Sequence, residues 1–133
     1  MKRRTFVRLV TAITVVLYLP NLYCKPKYNT LTRMLAQPDA LQHICDAKTI
    51  HEIGEAYQKQ VSNENNKATL VKLLAMDING NPIDESADSA LVASQLAKKI
   101  QQDFQQDKTV VVDGWVLSRT EARQCALFSL TEK

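Results

Sequence analysis

The stretch from Lys108 to Leu130, KTVVVDGWVLSRTEARQCALFSL, puts a turn, two strands and a helix start in a fixed order. Val110, Val111 and Val112 are β-branched and run into Asp113-Gly114, after which Trp115, Val116 and Leu117 form a second apolar run. Asp-Gly between two such runs predicts a two-residue type I′ turn, because both central residues take positive φ, which glycine adopts freely and Asp tolerates. In that register Val112 faces Trp115 and Val110 faces Leu117. Ser118 follows directly and Glu121 stands three residues later, a capping box that opens a helix at Arg119. Ala122, Cys125, Ala126 and Ser129 or Leu130 then recur at helical spacing, with Arg119, Arg123 and Gln124 expected toward water. A lone hairpin is marginal in water, so a helix must cover it.

The chain before this block reads as helices. Leu31, Met34 and Leu35 give one apolar face, Pro38 ends that helix and opens the next, and Leu41, Ile44 and Cys45 continue the pattern. Asp46 is placed to cap a third helix lined by Ile50, Ile53, Gly54, Tyr57 and Val61. Gly54 costs helix stability unless another backbone comes close, so it marks a crossing point. The polar run 62–66 separates this helix from one at Lys67 to Met76, with Leu70, Leu73 and Leu74 inward. Asn79-Gly80 and Asn81-Pro82 mark a loop. From about Ser86 to Gln106, Val92, Leu96, Ile100 and Phe104 recur at four-residue steps. Lys98, Lys99, Gln102 and Asp103 are expected on the wet face. The expected class is mainly α: a small single-domain bundle of five or six helices with one short C-terminal β-hairpin. Its large aromatic side chains for a core are Tyr57, Phe104, Trp115 and Phe128.

The first 24 residues differ in kind. Lys2, Arg3, Arg4 and Arg8 make a basic start, followed by an apolar run from Leu9 to Leu19 that Pro20 stops. That run is shorter than the about twenty residues a membrane span needs, and it suits a signal-peptide core or a short anchor. Arg3-Arg4 followed by Phe6, Val7 and Arg8 resembles the bacterial twin-arginine export signal, with Lys2 where that pattern has Ser or Thr. A general secretory signal and a retained anchor are the alternatives. Cys24 is a candidate lipidation site, although Asn21-Leu22-Tyr23 puts bulky residues before it where processing favours small ones. Residues 1–24 thus read as signal peptide or N-terminal anchor, and residues 25–133 as the helical domain.

Four of the chain's 17 basic residues lie in that leader, which leaves 13 against 14 acidic residues and a net charge of −1 for the remainder. The domain therefore lacks the basic stripe that nucleic-acid binding requires. Membrane contact is expected only through the leader. Cys45 and Cys125 could form one bridge in an oxidising compartment, or each could sit as a small buried apolar residue. His43 and His51 match no zinc or haem spacing. No Gly-rich phosphate loop or nucleophile elbow occurs, so no catalytic, cofactor or metal residue is assigned. Asp113, Gly114, Ser118 and Glu121 are explained by turn and cap duties. Trp115, Arg119 and Arg123 form a candidate partner-contact patch, since Trp and Arg dominate interface energies.

The Arg3-Arg4 leader, the Ile53-Gly54-Glu55-Ala56-Tyr57 element and the VDGWVLSRTEARQCAL segment together resemble small exported bacterial accessory proteins, the small subunits of flavin-dependent sugar or alcohol dehydrogenases. The resemblance implies a non-catalytic subunit with no cofactor of its own that lets a larger, folded flavin subunit leave with it on one signal. The alternative expectation is a self-standing periplasmic or lipid-anchored interaction protein.

Overall fold

The computed structural model describes residues 30–132. Among these the order is α1 (Thr30–Leu35), α2 (Asp39–Gln42), α3 (Ala47–Gln60), a 3-10 turn (Ser62–Glu64), α4 (Lys67–Leu74), α5 (Ser89–Gln105), β1 (Thr109–Val112), β2 (Trp115–Ser118) and α6 (Arg119–Thr131). The domain is thus mainly α with six described helices and one antiparallel hairpin.

The helices start where short polar side chains meet orphan N–H groups. The carboxylate of Asp46 accepts from Thr49 N–H, the Asn66 amide oxygen from Thr69 N–H, and the Asp88 carboxylate from Leu91 N–H. The cap at Asp88 sets the start of α5 at Ser89, three residues later than the periodicity suggests. Ser118 and Glu121 form the expected reciprocal box: Glu121 N–H donates to Ser118 Oγ at 3.0 Å, and Ser118 N–H donates to Glu121 Oε2 at 2.9 Å. The hairpin pairs Val112 with Trp115 and Val110 with Leu117, and its turn has φ of 48° at Asp113 and 81° at Gly114.

Helix α6 is the centre of the molecule. Thr120, Glu121, Ala122, Gln124, Cys125, Ala126, Leu127 and Ser129 are all buried, and the helix touches α1, α3, α4, α5 and both strands. Small side chains let α3 approach closely. A Cβ at Gly54 would overlap the Cys125 carbonyl oxygen, which is why glycine stands at the crossing. The surrounding core is Leu31, Leu35 and Leu41 from the N-terminal turns, Ile50, Ile53 and Tyr57 from α3, and Leu70 and Leu74 from α4. Val92 and Leu96 from α5 and Val112 and Leu117 from the hairpin complete it.

Several positions differ from expectation. Ile44, expected inward, is 67% exposed, because α2 ends at Gln42 and the helical repeat stops before reaching it. Phe104 is 47% exposed rather than in the core, whereas Lys99 and Asp103, expected in water, turn inward. The cause is geometric. Steps of four advance about 400° on a helix of about 100° per residue, so the row Val92, Leu96, Ile100, Phe104 drifts about 120° around α5, while Val92, Leu96, Lys99, Asp103 stays within an arc of about 60°. Gln124, also expected in water, is buried. These three polar side chains satisfy helix ends. Lys99 Nζ donates to the Leu73 and Leu74 carbonyls at the end of α4, and Gln124 Nε2 donates to the Leu35 and Gln37 carbonyls after α1. Asp103 Oδ2 accepts from both N–H and Oγ1 of Thr120 in the first turn of α6.

Candidate functional site

The three residues expected to form a contact patch take different positions. Trp115 lies on the inner face of the hairpin opposite Val112 and packs, half-buried, against the core. Arg119 is exposed at the first position of α6. Arg123, one turn later, points into the protein and is a correction to the expected wet face. Its Nε and Nη2 donate to the two Glu64 carboxylate oxygens at 2.9 and 2.8 Å, and the two side chains are only 17% and 13% exposed.

Tyr57 completes this cluster. Its hydroxyl donates to Glu64 Oε2 at 2.6 Å, so one carboxylate joins α3, the 3-10 turn and α6. The Arg123 hydrogen bonds hold the Glu64 carboxyl below its ordinary range. Burial, reinforced by the bond to Glu64, pushes the Tyr57 phenol up to about 12. Sequence reasoning missed Glu64, which sits in the polar turn 59 residues before Arg123. The only local sign was a single acidic residue in a run of Ser and Asn.

The outer face of the hairpin was not singled out, yet it carries exposed apolar residues. Val111 and Val116 are direct cross-strand partners and are 59% and 64% exposed. In a two-stranded sheet one face packs on the core while the other meets water, and that second face usually carries polar residues. Here two valines occupy it, with Thr109 exposed on the same face.

The remaining candidates have structural settings. Asp113 and Gly114 form the turn, and Ser118 and Glu121 the cap. Cys45 and Cys125 are free thiols. Cys45 Sγ donates to the Leu41 carbonyl at 3.2 Å, and burial pushes the Cys125 thiol up to about 12. His43 is exposed, and His51 Nδ1 lies 3.8 Å from Glu55 on the next turn of α3. Among the described residues no group of three or more His, Cys, Asp or Glu side chains could hold a metal ion, and no helix is long and apolar enough to cross a membrane. Arg3, Arg4, Phe6 and Cys24 lie outside the described residues. Compared with protein-family models, curated proteins and solved structures, the chain matches none of them.

Proposed function

We propose that the chain is an exported, non-catalytic accessory subunit that presents its C-terminal hairpin to a larger protein, a periplasmic oxidoreductase of the flavin-dependent dehydrogenase kind. The observation that carries this reading is the exposed Val111–Val116 pair, a β-branched apolar face on a hairpin whose second strand runs directly into the exposed Arg119. Burying two such side chains against a partner contributes roughly 1.5–3 kcal/mol each, enough to anchor an interface that polar contacts then complete. The contact patch is therefore redrawn: Arg119 stays in it, Val111 and Val116 enter, and Trp115 and Arg123, whose side chains turn inward, leave it. The leader at Arg3-Arg4 and the resemblance of the C-terminal segment support an escort role, in which one signal serves two proteins.

Expression with the adjacent genes tests the reading. The expected outcome is co-purification with a larger flavoprotein that lacks its own leader, lost in a Val111→Lys, Val116→Glu double variant, whose opposite charges face each other across the strands and leave its own melting little changed. Turnover of a substrate by the chain alone would overturn it. Retention in the membrane fraction that disappears in Cys24→Ala, without any co-purifying subunit, would favour the self-standing lipid-anchored module instead.

A further inference from the structure

A second feature shares Arg119 with the contact patch. Between the end of α4 with its following turn, α5 and the start of α6 is an open cleft of about 300 Å³ whose charged lining residues are Lys99, Lys108, Arg119, Arg123, Asp77 and Asp103. That size is at the small end for ligand sites. The two carboxylates are already committed to donors of the protein itself. Asp103 Oδ2 is taken by Thr120, and Asp77 Oδ1 accepts from Asn79 and Asn81 N–H at 2.8 and 2.9 Å.

The cations divide into floor and rim. On the floor, Arg123 is held by Glu64 and Lys99 by the two α4 carbonyls. On the rim, the Lys108 and Arg119 side chains make no hydrogen bond or salt bridge to any described residue, and the backbone bond from Arg119 N–H to the Lys108 carbonyl at 3.0 Å keeps the two together. Four cations against three carboxylates, Asp77, Asp103 and the Glu64 that holds Arg123, leave one net positive charge in a concave, partly desolvated space, where charge is screened less than on an open surface.

We infer that this cleft binds a small doubly charged oxyanion, a phosphate or phosphate monoester, with Arg119 and Lys108 as its direct donors and Lys99 and Arg123 supplying field from below. A guanidinium and an ammonium on adjacent backbone positions match the oxygens of a tetrahedral dianion, the first by paired N–H groups and the second as a point charge. Burial, and after it Arg123, brings the Lys99 ammonium down to about 8, and a dianion bound beside it would move that value up.

The test is a titration of the full chain, lysine side chains labelled for NMR, with inorganic phosphate, glycerol phosphate and acetate at matched ionic strength. Saturable shifts at Lys99 and Lys108, an upward move of the Lys99 titration, and weaker binding of acetate are expected. Arg119→Gln and Lys108→Gln should each weaken phosphate binding about tenfold, the effect of losing one charge-assisted hydrogen bond, whereas Lys59→Gln on α3 should leave it unchanged. Both cleft variants remove exposed side chains that hold nothing in place, so their melting should match the parent. Non-saturating shifts spread equally over Lys48, Lys59 and Lys72, or equal binding by parent and Arg119→Gln, would overturn the site.

Discussion

At the scale of single residues, two positions fix the contact of α3 with α6. Gly54 stands where its missing Cβ would meet the Cys125 backbone, and backbone cannot swing aside as a side chain can. Gly54→Ala should therefore cost about 1–3 kcal/mol despite the better helix propensity of alanine. In a domain of this size that lowers the melting temperature by at least about 4 °C, measurable by circular dichroism. An unchanged melt would mean the helices can separate freely. Glu64 is the second position. With its folded-state pKa depressed by Arg123, its contribution is fully present above the ordinary carboxylate value of 4.5 and is lost as pH falls through the lower folded value. Glu64→Gln leaves Arg123 half-buried without its counter-charge and should cost about 2 kcal/mol at pH 7. The gap between parent and variant should narrow as pH is lowered below about 4.5, because protonated Glu64 resembles the amide. A gap constant from pH 7 to 3 would show that the Arg123 pair contributes nothing through charge.

At the scale of elements, local chemistry was legible and inter-element chemistry was not. The turn at Asp113-Gly114, the box at Ser118 and Glu121, the cap at Asp46 and the crossing at Gly54 each depend on residues within a few positions or on a glycine with one plausible use. Arg123, Gln124, Lys99 and Asp103 turned inward because other helices end beside them, and no neighbour in sequence announces that. Only part of the candidate site was visible for the same reason: Arg119 reaches water, while the inward course of Arg123 depends on Glu64, far away in the chain. The C-terminal end of α5 shows a further element-scale feature. Asp107 takes φ of 56°, Lys108 N–H donates to the Asp103 carbonyl, and Asp107 N–H to that of Phe104, the pattern of a Schellman cap with aspartate where glycine is usual. Asp107→Gly should raise stability by about 0.5–1 kcal/mol, read as a higher melting temperature. A fall would mean the Asp107 side chain contributes more than its strained backbone costs. Lys99 gives a prediction for pH dependence. Its folded pKa lies below its ordinary 10.5, so the unfolded chain binds more protons between about 8 and 10.5 and stability rises with pH across that window. Tyr57 and Cys125, raised in the fold, act in the opposite sense above their ordinary 10 and 9. Melting compared with Lys99→Met at each pH cancels them, and the difference should move in favour of the parent from pH 7 to 10. A flat difference would place Lys99 outside the desolvated cleft.

At the scale of the whole molecule, the arrangement is inverted relative to a bundle of equal helices. The wettest elements, α5 and the outer hairpin, surround a last helix that is buried on nearly every side and carries few large apolar residues. Stability is therefore concentrated at one element which six others touch, and the domain should melt as a single unit. Leu127, fully buried and the largest apolar side chain in the buried part of α6, has no smaller residue able to fill its volume; Leu127→Ala should cost about 2–5 kcal/mol. Exposed apolar positions give the contrast, and Val116→Ser or Phe104→Ser should change stability by no more than about 0.5 kcal/mol. The sharper test removes residues 119–133. Without α6, the inner faces of α3, α4, α5 and the hairpin lose their common partner, Asp103 loses Thr120, and Glu64 loses Arg123. What is left cannot bury enough apolar surface to offset its chain entropy. The truncated chain should show no cooperative thermal transition and no dispersed amide spectrum, where loss of a peripheral helix would leave both in place at a lower melting temperature. Retained cooperative melting after that truncation would mean that α3, α4 and α5 form a core of their own, and that α6 is a covering rather than the centre.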